Sequence, residues 1–179
     1  MRLWVTFKTH NGADLPITYN HGLQAVIYSL LSRELRDFLH ERGFDYNGRR
    51  FKLFTFSRLF GRFVRNGNML KYKDEIKLCI SSPVERFIRE LANSLIQRRR
   101  LTLLGNELTV SSIHFPERPL LRSGMIFKTL SPITVYSTLT TGDGRKKTYY
   151  YSPYEEEFSD LISTNLARKA RLITRGEVN

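Results

Sequence analysis

Three observations predict an α+β fold for this chain of 179 residues. Short runs of β-branched and aromatic residues alternate with period two, which is the pattern of half-buried strands. Between them lie stretches with apolar residues at helical spacing, and turn-forming Asn-Gly and Pro pairs punctuate the joins.

Residues 2–9 (RLWVTFKT) are expected to form the first strand. Asn11-Gly12-Ala13-Asp14 reads as a turn, and Leu15-Pro16 leads into a helix. In that helix Leu23, Val26, Ile27, Leu30 and Leu31 make one apolar face. A second helical pattern, Leu35, Phe38 and Leu39, runs through His40 to Gly43, where glycine can close a helix in a left-handed conformation. Residues 51–57 (FKLFTFS) read as the clearest strand of the chain. A turn at Asn66-Gly67-Asn68 separates it from extended runs at 69–73 and 75–81. Ser82-Pro83-Val84-Glu85 then has the form of a capping box with proline at the first helical position. Val84, Phe87, Ile88, Leu91 and Leu95 supply this helix's buried face, and Arg98-Arg99-Arg100 end it favourably for the helix dipole. Residues 107–115 return as a strand.

Residues 2–116 therefore read β-α-β-β-α-β, the split arrangement of ferredoxin-like, or RNA-recognition-motif-like, domains. The aromatic segment that marks a standard RNA-recognition motif is missing, so base stacking on the sheet face is not expected. After a linker at 116–123, residues 126–139 read as extended, Thr141-Gly142-Asp143-Gly144 as a turn, and 147–151 as a returning strand. Ser152-Pro153-Tyr154-Glu155 opens a helix in the same way as Ser82, and Phe158, Leu161 and Ile162 give it an apolar face. Arg168, Lys169, Arg171 and Arg175 make its end basic, with a further strand expected at 170–174. The organisation expected is one ferredoxin-like domain over 1–118 and a partial second one over 124–179. A half sheet leaves open edges, so the second domain is expected to be truncated here or completed by another chain.

The charge balance bears on partners. With 29 Lys and Arg against 17 Asp and Glu, the net charge of +12 predicts attraction to polyanions, nucleic acid first, with an affinity that falls as salt rises. No stretch approaches the length of a membrane span, and the N-terminus lacks a signal peptide's apolar region, so a cytoplasmic protein is expected. Cys79 is the only cysteine, which excludes an internal disulfide and favours a small core thiol. His10, His21, His40 and His114 are scattered without metal-ligand spacing, so neither a metal nor another cofactor is expected.

RNA carries its own nucleophile, the ribose 2′-OH. Cleaving it needs a base for that hydroxyl, an acid for the departing 5′-oxygen, and a cation beside the phosphate. His40 is the candidate acid because imidazole titrates near neutrality. Tyr28 is the candidate base or orienting group, although a free phenol is only about one part in a thousand ionised at pH 7. Lys52 is the candidate cation. Each has a bland alternative: a half-buried helix-end histidine, a tyrosine beside an apolar face, a solvated edge lysine. Geometry adds a condition. On one straight helix Tyr28 and His40 would lie about 18 Å apart, so the helix must break near Leu31-Ser32-Arg33, with Ser32 capping a second helix that folds back.

The succession Tyr19-Asn20-His21, Leu23-Gln24-Ala25-Val26-Ile27-Tyr28, Phe38-Leu39-His40-Glu41 and Lys52-Leu53-Phe54-Thr55-Phe56-Ser57 resembles the CRISPR-associated repeat-RNA-processing endoribonucleases, the Cas-six family. Thr129-Leu130-Ser131-Pro132-Ile133 is similar to the segment that opens the family's second ferredoxin-like domain. The resemblance implies tandem ferredoxin-like domains that bind CRISPR repeat RNA and cut it once, leaving a 2′,3′-cyclic phosphate and a 5′-hydroxyl. It also implies that Tyr28, His40 and Lys52 serve as base, acid and phosphate stabiliser. The family's glycine-rich loop near the C-terminus has no counterpart before Asn179; Gly142-Asp143-Gly144 reads as an isolated hairpin turn.

Two functions follow as expectations. The first is a metal-independent endoribonuclease; the second is a non-catalytic RNA-binding subunit of a CRISPR ribonucleoprotein. Both use Arg49, Arg50, Arg58, Arg62, Arg65, Arg98, Arg99 and Arg100 as candidate phosphate contacts. Partners expected beyond the repeat RNA are other CRISPR-associated effector subunits and a second copy of the chain.

Overall fold

The alternation at the start of the chain becomes strand β1 (Arg2–Lys8), the centre of a five-stranded antiparallel sheet. The computed structural model describes residues 1–117, 120–129 and 133–174, which fall into two units divided between residues 118 and 119.

In the first unit β1 pairs on one side with β8 (Glu75–Ser81) and on the other with β10 (Asn106–His114). The short β5 (Thr55–Phe56) adds outside β8, and β9 (Arg100–Leu103) outside β10, giving the order β5-β8-β1-β10-β9. The four strands anticipated in the sequence thus stand in the order second, third, first, fourth, which is the ferredoxin-like arrangement. Helices α1 (Asn20–Ser29) and α3 (Glu85–Arg98) cover one face. Leu3, Val5, Phe7, Ile76, Leu78 and Ile80 from the strands are buried with Leu23, Ile27, Phe87, Ile88, Leu91 and Leu95 from the helices.

Several expectations are corrected. The chain bends at His10 and Asn11, ahead of Gly12. Ala13–Pro16 is strand β2, which pairs with β7 (Met69–Tyr72) beside β6 (Phe63–Asn66) in a separate three-stranded sheet. A Cβ on Gly12, at φ +83°, would lie 2.6 Å from the Tyr72 carbonyl oxygen, so this close approach demands glycine. Residues 51–57 are not one strand. β4 (Arg49–Phe51) pairs with β3 (Phe44–Tyr46), the chain kinks at Leu53 with φ +50°, and β5 then joins β8. Ser82 does not cap α3. Its hydroxyl donates to the Leu53 carbonyl at 2.7 Å and accepts from Val84 N–H at 3.0 Å, holding that kink. Helix α3 ends at Arg98; Arg99 caps it in the left-handed region at φ +56°, and Arg100 already belongs to β9.

The second unit contains the hairpin β11 (Tyr136–Thr140) and β12 (Lys146–Tyr150), followed by helix α4 (Glu156–Thr174). This is the β-β-α portion of a second ferredoxin-like domain. The strand is confined to 136–140 rather than extending back to 126, and 170–174 is helical rather than extended. Glu155 accepts a hydrogen bond from the Ser152 backbone N–H, so here the glutamate half of the capping box forms. Arg175 and, within the family-like segment, Leu130, Ser131 and Pro132 lie outside the described residues.

Candidate active site

The predicted break in the first helical stretch is present. Helix α1 ends at Ser29, and the Ser32 hydroxyl accepts from Leu35 N–H at 3.3 Å as the cap of helix α2 (Arg33–Asp37). Two bonds from α3 fasten this elbow. Ser94 donates to the Leu30 carbonyl at 2.6 Å, and Ser32 N–H donates to a Glu90 carboxylate oxygen at 2.9 Å. Arg86 bridges Glu90 at 2.8 Å and Glu34 of α2 at 3.0 Å. Glu34 is held below its ordinary pKa chiefly by the Arg86 hydrogen bond. Burial pushes Glu90 up, but the Ser32 N–H and Arg86 outweigh it and the net shift is downward.

Helix α2 widens into a π turn over Phe38–Arg42, closed by Gly43 N–H donating to the Phe38 carbonyl at 2.7 Å. The last carbonyls of such a turn need donors, and two side chains supply them. Lys52 Nζ donates to the His40 carbonyl at 3.3 Å, and Arg50 Nη1 to the Glu41 carbonyl at 2.9 Å. Both cations also suit the negative end of the helix dipole.

Lys52 has a second neighbour. Its ammonium lies 5.9 Å from the centroid of the Tyr28 ring, within cation–π reach. Tyr28 meets Phe54 edge-on at 5.7 Å, and Phe54 stacks on Phe87 of α3 at 4.7 Å. The Lys52 ammonium therefore stands between the Tyr28 ring and the main-chain carbonyl of His40, with Lys52 on the kinked connection between β4 and β5 rather than within a strand. The Tyr28 hydroxyl is buried and makes no hydrogen bond among the described residues. His40 is exposed. A groove of about 270 Å³ opens beside Lys52, lined also by Gln24, Phe54, Thr55 and Phe56. Gln24 and Phe54 were not singled out from the sequence. Gln24 could have been, since it precedes Tyr28 by one helical turn and shares its face.

The candidate arginines do not form one cluster of free charge. Arg49 and Arg50 belong to β4 and lead directly to Lys52. Arg58 lies with its guanidinium 5.5 Å from the Phe60 ring centre. Arg62 is paired with Asp74 at 2.6 Å, Arg65 donates to the Gly67 carbonyl at 3.0 Å, and Arg100 is paired with Glu107 at 3.5 Å. Arg98 and Arg99 are exposed at the end of α3. No group of three or more His, Cys, Asp or Glu suited to a metal ion occurs among the described residues, and none of their helices is long and apolar enough to cross a membrane.

Residues 14–114 match the family described as CRISPR-associated protein Cas6, N-terminal, and residues 115–178 match CRISPR associated protein Cas6, C-terminal. The chain belongs to the Cas6 family. It is similar to "CRISPR-associated endoribonuclease Cas6 1" of Methanocaldococcus jannaschii, with 27% identity over 171 residues. That match takes in 94% of this chain and 65% of the relative, so the chain spans about two thirds of the relative's length. A solved "CRISPR associated protein Cas6" superposes with a TM-score of 0.71 at 27% identity, covering 98% of this chain and 72% of the other. A structure from the "Characterization of a Cas6-related gene from Pyrococcus furiosus" has the same fold, with a TM-score of 0.70 at 22% identity over 90% of this chain and 65% of the other. Membership in the Cas6 family and the tandem ferredoxin-like fold agree with what the motifs around Tyr28, His40 and Lys52 implied.

Proposed function

We propose that this Cas6-family chain is a metal-independent endoribonuclease that cuts CRISPR repeat RNA within a precursor transcript. The observation that carries this reading is the position of Lys52, whose ammonium touches the His40 turn at 3.3 Å and faces the Tyr28 ring at 5.9 Å. Lys52 thus links the turn that carries the candidate acid to the ring of the candidate base, at the edge of a groove it lines itself.

In the reaction the 2′-oxygen attacks the adjacent phosphorus while its proton leaves, and the bond from phosphorus to the 5′-oxygen breaks. Tyr28 orients or deprotonates the 2′-OH; its hydroxyl has no partner but is buried, so RNA must displace its cover to reach it. His40 gives a proton to the departing 5′-oxygen. Lys52 stabilises the extra negative charge on the phosphorane. The products are a 2′,3′-cyclic phosphate and a 5′-hydroxyl; proton exchange with water resets Tyr28 and His40. The nucleophile is internal to the substrate, so the scheme has no step that calls for a metal.

The second reading is RNA binding without turnover in a CRISPR ribonucleoprotein. It is favoured by the bonds that Lys52 and Arg50 make to the π turn, which a purely structural role would also require. Gel analysis of a labelled CRISPR repeat RNA separates the two. For an enzyme, the wild type cuts with or without chelator, and a 2′-deoxy residue at the cut site stops cleavage. His40→Ala slows it by about 10²–10⁴-fold while leaving RNA affinity unchanged. Chelator-sensitive cutting, or no cutting with tight binding, rejects the enzyme.

A further inference from the structure

The groove beside Lys52 is built from three parts of the first unit. Gln24 comes from α1, Lys52 and Phe54 from the kinked connection, and Thr55 and Phe56 from β5. The lining holds one cation and no carboxylate. Phe54 is held from behind, stacked on Phe87 at 4.7 Å and met edge-on by Tyr28 at 5.7 Å. Phe56 is part-exposed on the outermost strand of its sheet, which pairs only with β8. The groove's volume of about 270 Å³ falls just below the roughly 300–1,000 Å³ of pockets for drug-sized molecules, so it suits one nucleoside and not a run of them.

Gln24 supplies the amide of this lining. It is exposed, and its side chain makes no hydrogen bond among the described residues, so only water has to leave it when a ligand arrives. A primary amide offers two donors and one acceptor oxygen and does not titrate, so its contribution is recognition and not proton transfer. Gln24 stands one helical turn before Tyr28, which puts the two side chains on one face with their Cβ atoms about 5–6 Å apart. Within one nucleotide, the ribose 2′-hydroxyl and the edge of the base are separated by a similar interval. Unpaired RNA bases are read in this manner, against aromatic rings and by hydrogen bonds to their edges.

We propose that Gln24 is a specificity-determining residue that reads the base on the 5′ side of the cut and selects adenine. Its amide oxygen accepts from the N6 amine and its amide nitrogen donates to N7, while Phe54 and Phe56 flank the base and Lys52 meets the phosphate. Guanine presents two acceptors at the corresponding edge, and pyrimidines have no N7, so neither completes both bonds. The placement beside the 2′-OH rests on the cleavage reading; the preference for adenine governs binding as well and is measurable without turnover.

The test varies the base and the side chain together. In a labelled CRISPR repeat RNA the nucleotide 5′ of the mapped cut is made adenosine, 7-deazaadenosine, purine riboside, guanosine or uridine, and kcat/KM is measured for each. The wild type is expected to favour adenosine by roughly 5- to 150-fold. Gln24→Leu, close to glutamine in size and helix propensity, treats all of the substrates alike. Gln24→Glu keeps an acceptor and loses both donors, so it still discriminates against purine riboside, which lacks the amine, but not against 7-deazaadenosine. A purely structural role for Gln24 would lower every rate by the same factor in Gln24→Leu, and that result overturns the proposal. A preference for adenosine that survives in Gln24→Leu, or none in the wild type, does so too. The same proteins are titrated with ten-mers of deoxyadenosine and of purine deoxyriboside, neither of which can undergo 2′-OH attack. If no RNA is cut but the wild type prefers deoxyadenosine and Gln24→Leu does not, the cleavage reading fails and the base reading stands. If no RNA is cut and the wild type binds both ten-mers equally, both fail.

Discussion

Lys52 is the residue on which the candidate site turns, and it has two physical duties. It satisfies a carbonyl at the end of a π turn, and its ammonium stands within reach of Tyr28. Tyr72 shows how much a single phenol contributes to the same unit. Burial, with Tyr19 next to it, pushes its pKa from 10.0 up to about 12. The folded state therefore holds this proton more tightly than the unfolded chain does. Its contribution to stability is intact below the unfolded value of 10.0 and is lost as pH rises through the folded value of about 12. Urea unfolding followed across that interval is expected to show stability falling more steeply in the wild type than in Tyr72→Phe. The variant should also start about 1 kcal/mol lower at neutral pH, because the bond to the Leu59 carbonyl is gone.

At the scale of elements, the elbow between α1 and α2 decides whether Tyr28 and His40 can share a substrate. It is built from a side-chain cap at Ser32 and the Ser94 and Glu90 bonds from α3. Replacing Ser32 by alanine is expected to cost about 1 kcal/mol, and by glycine only a few tenths, measured by urea midpoints. The Arg86 bridge adds a pH signature. Glu34 and Glu90 both titrate below their ordinary value of 4.5 in the folded state. Their contribution is present above that value and is lost as pH falls through the lowered folded values. Arg86→Met is therefore expected to reduce the acid sensitivity of unfolding below pH 4.5, while lowering stability at neutral pH. Equal acid profiles for Arg86→Met and the wild type would show the bridge to be inert.

For the whole molecule, the net charge of +12 matters through its distribution. Arg62 and Arg100 are already opposed by Asp74 and Glu107, whereas Arg49 is exposed on β4, three residues before Lys52 in the chain. Affinity for single-stranded RNA should fall as salt rises, and each lost phosphate contact should flatten the log–log slope by about 0.7. Arg49→Ala is expected to show that change, and Arg62→Ala or Arg100→Ala a smaller one. Identical slopes for all three would mean that the ion pairs open on binding.

Much of this protein was legible in its sequence, because periodicity and composition are local. The apolar face of α3, the alternation of β1 and β8, the glycine that ends the π turn and the break at Ser32 all follow from neighbours within a turn or a strand. The basic charge is likewise a property of the chain itself. What only the tertiary structure decided depends on contacts distant in sequence. Residues 51–57 alternate like one strand, but β3 and β8 compete for its two ends, and Ser82 holds the kink between them. Ser82 was thereby taken from the helix it seemed to cap. The same long-range packing set Lys52 against both Tyr28 and the His40 turn, and Trp4 against Phe60. A pattern read along the chain shows which side chains face the same way; which of them meet is settled by the partners that strands and helices find across the fold.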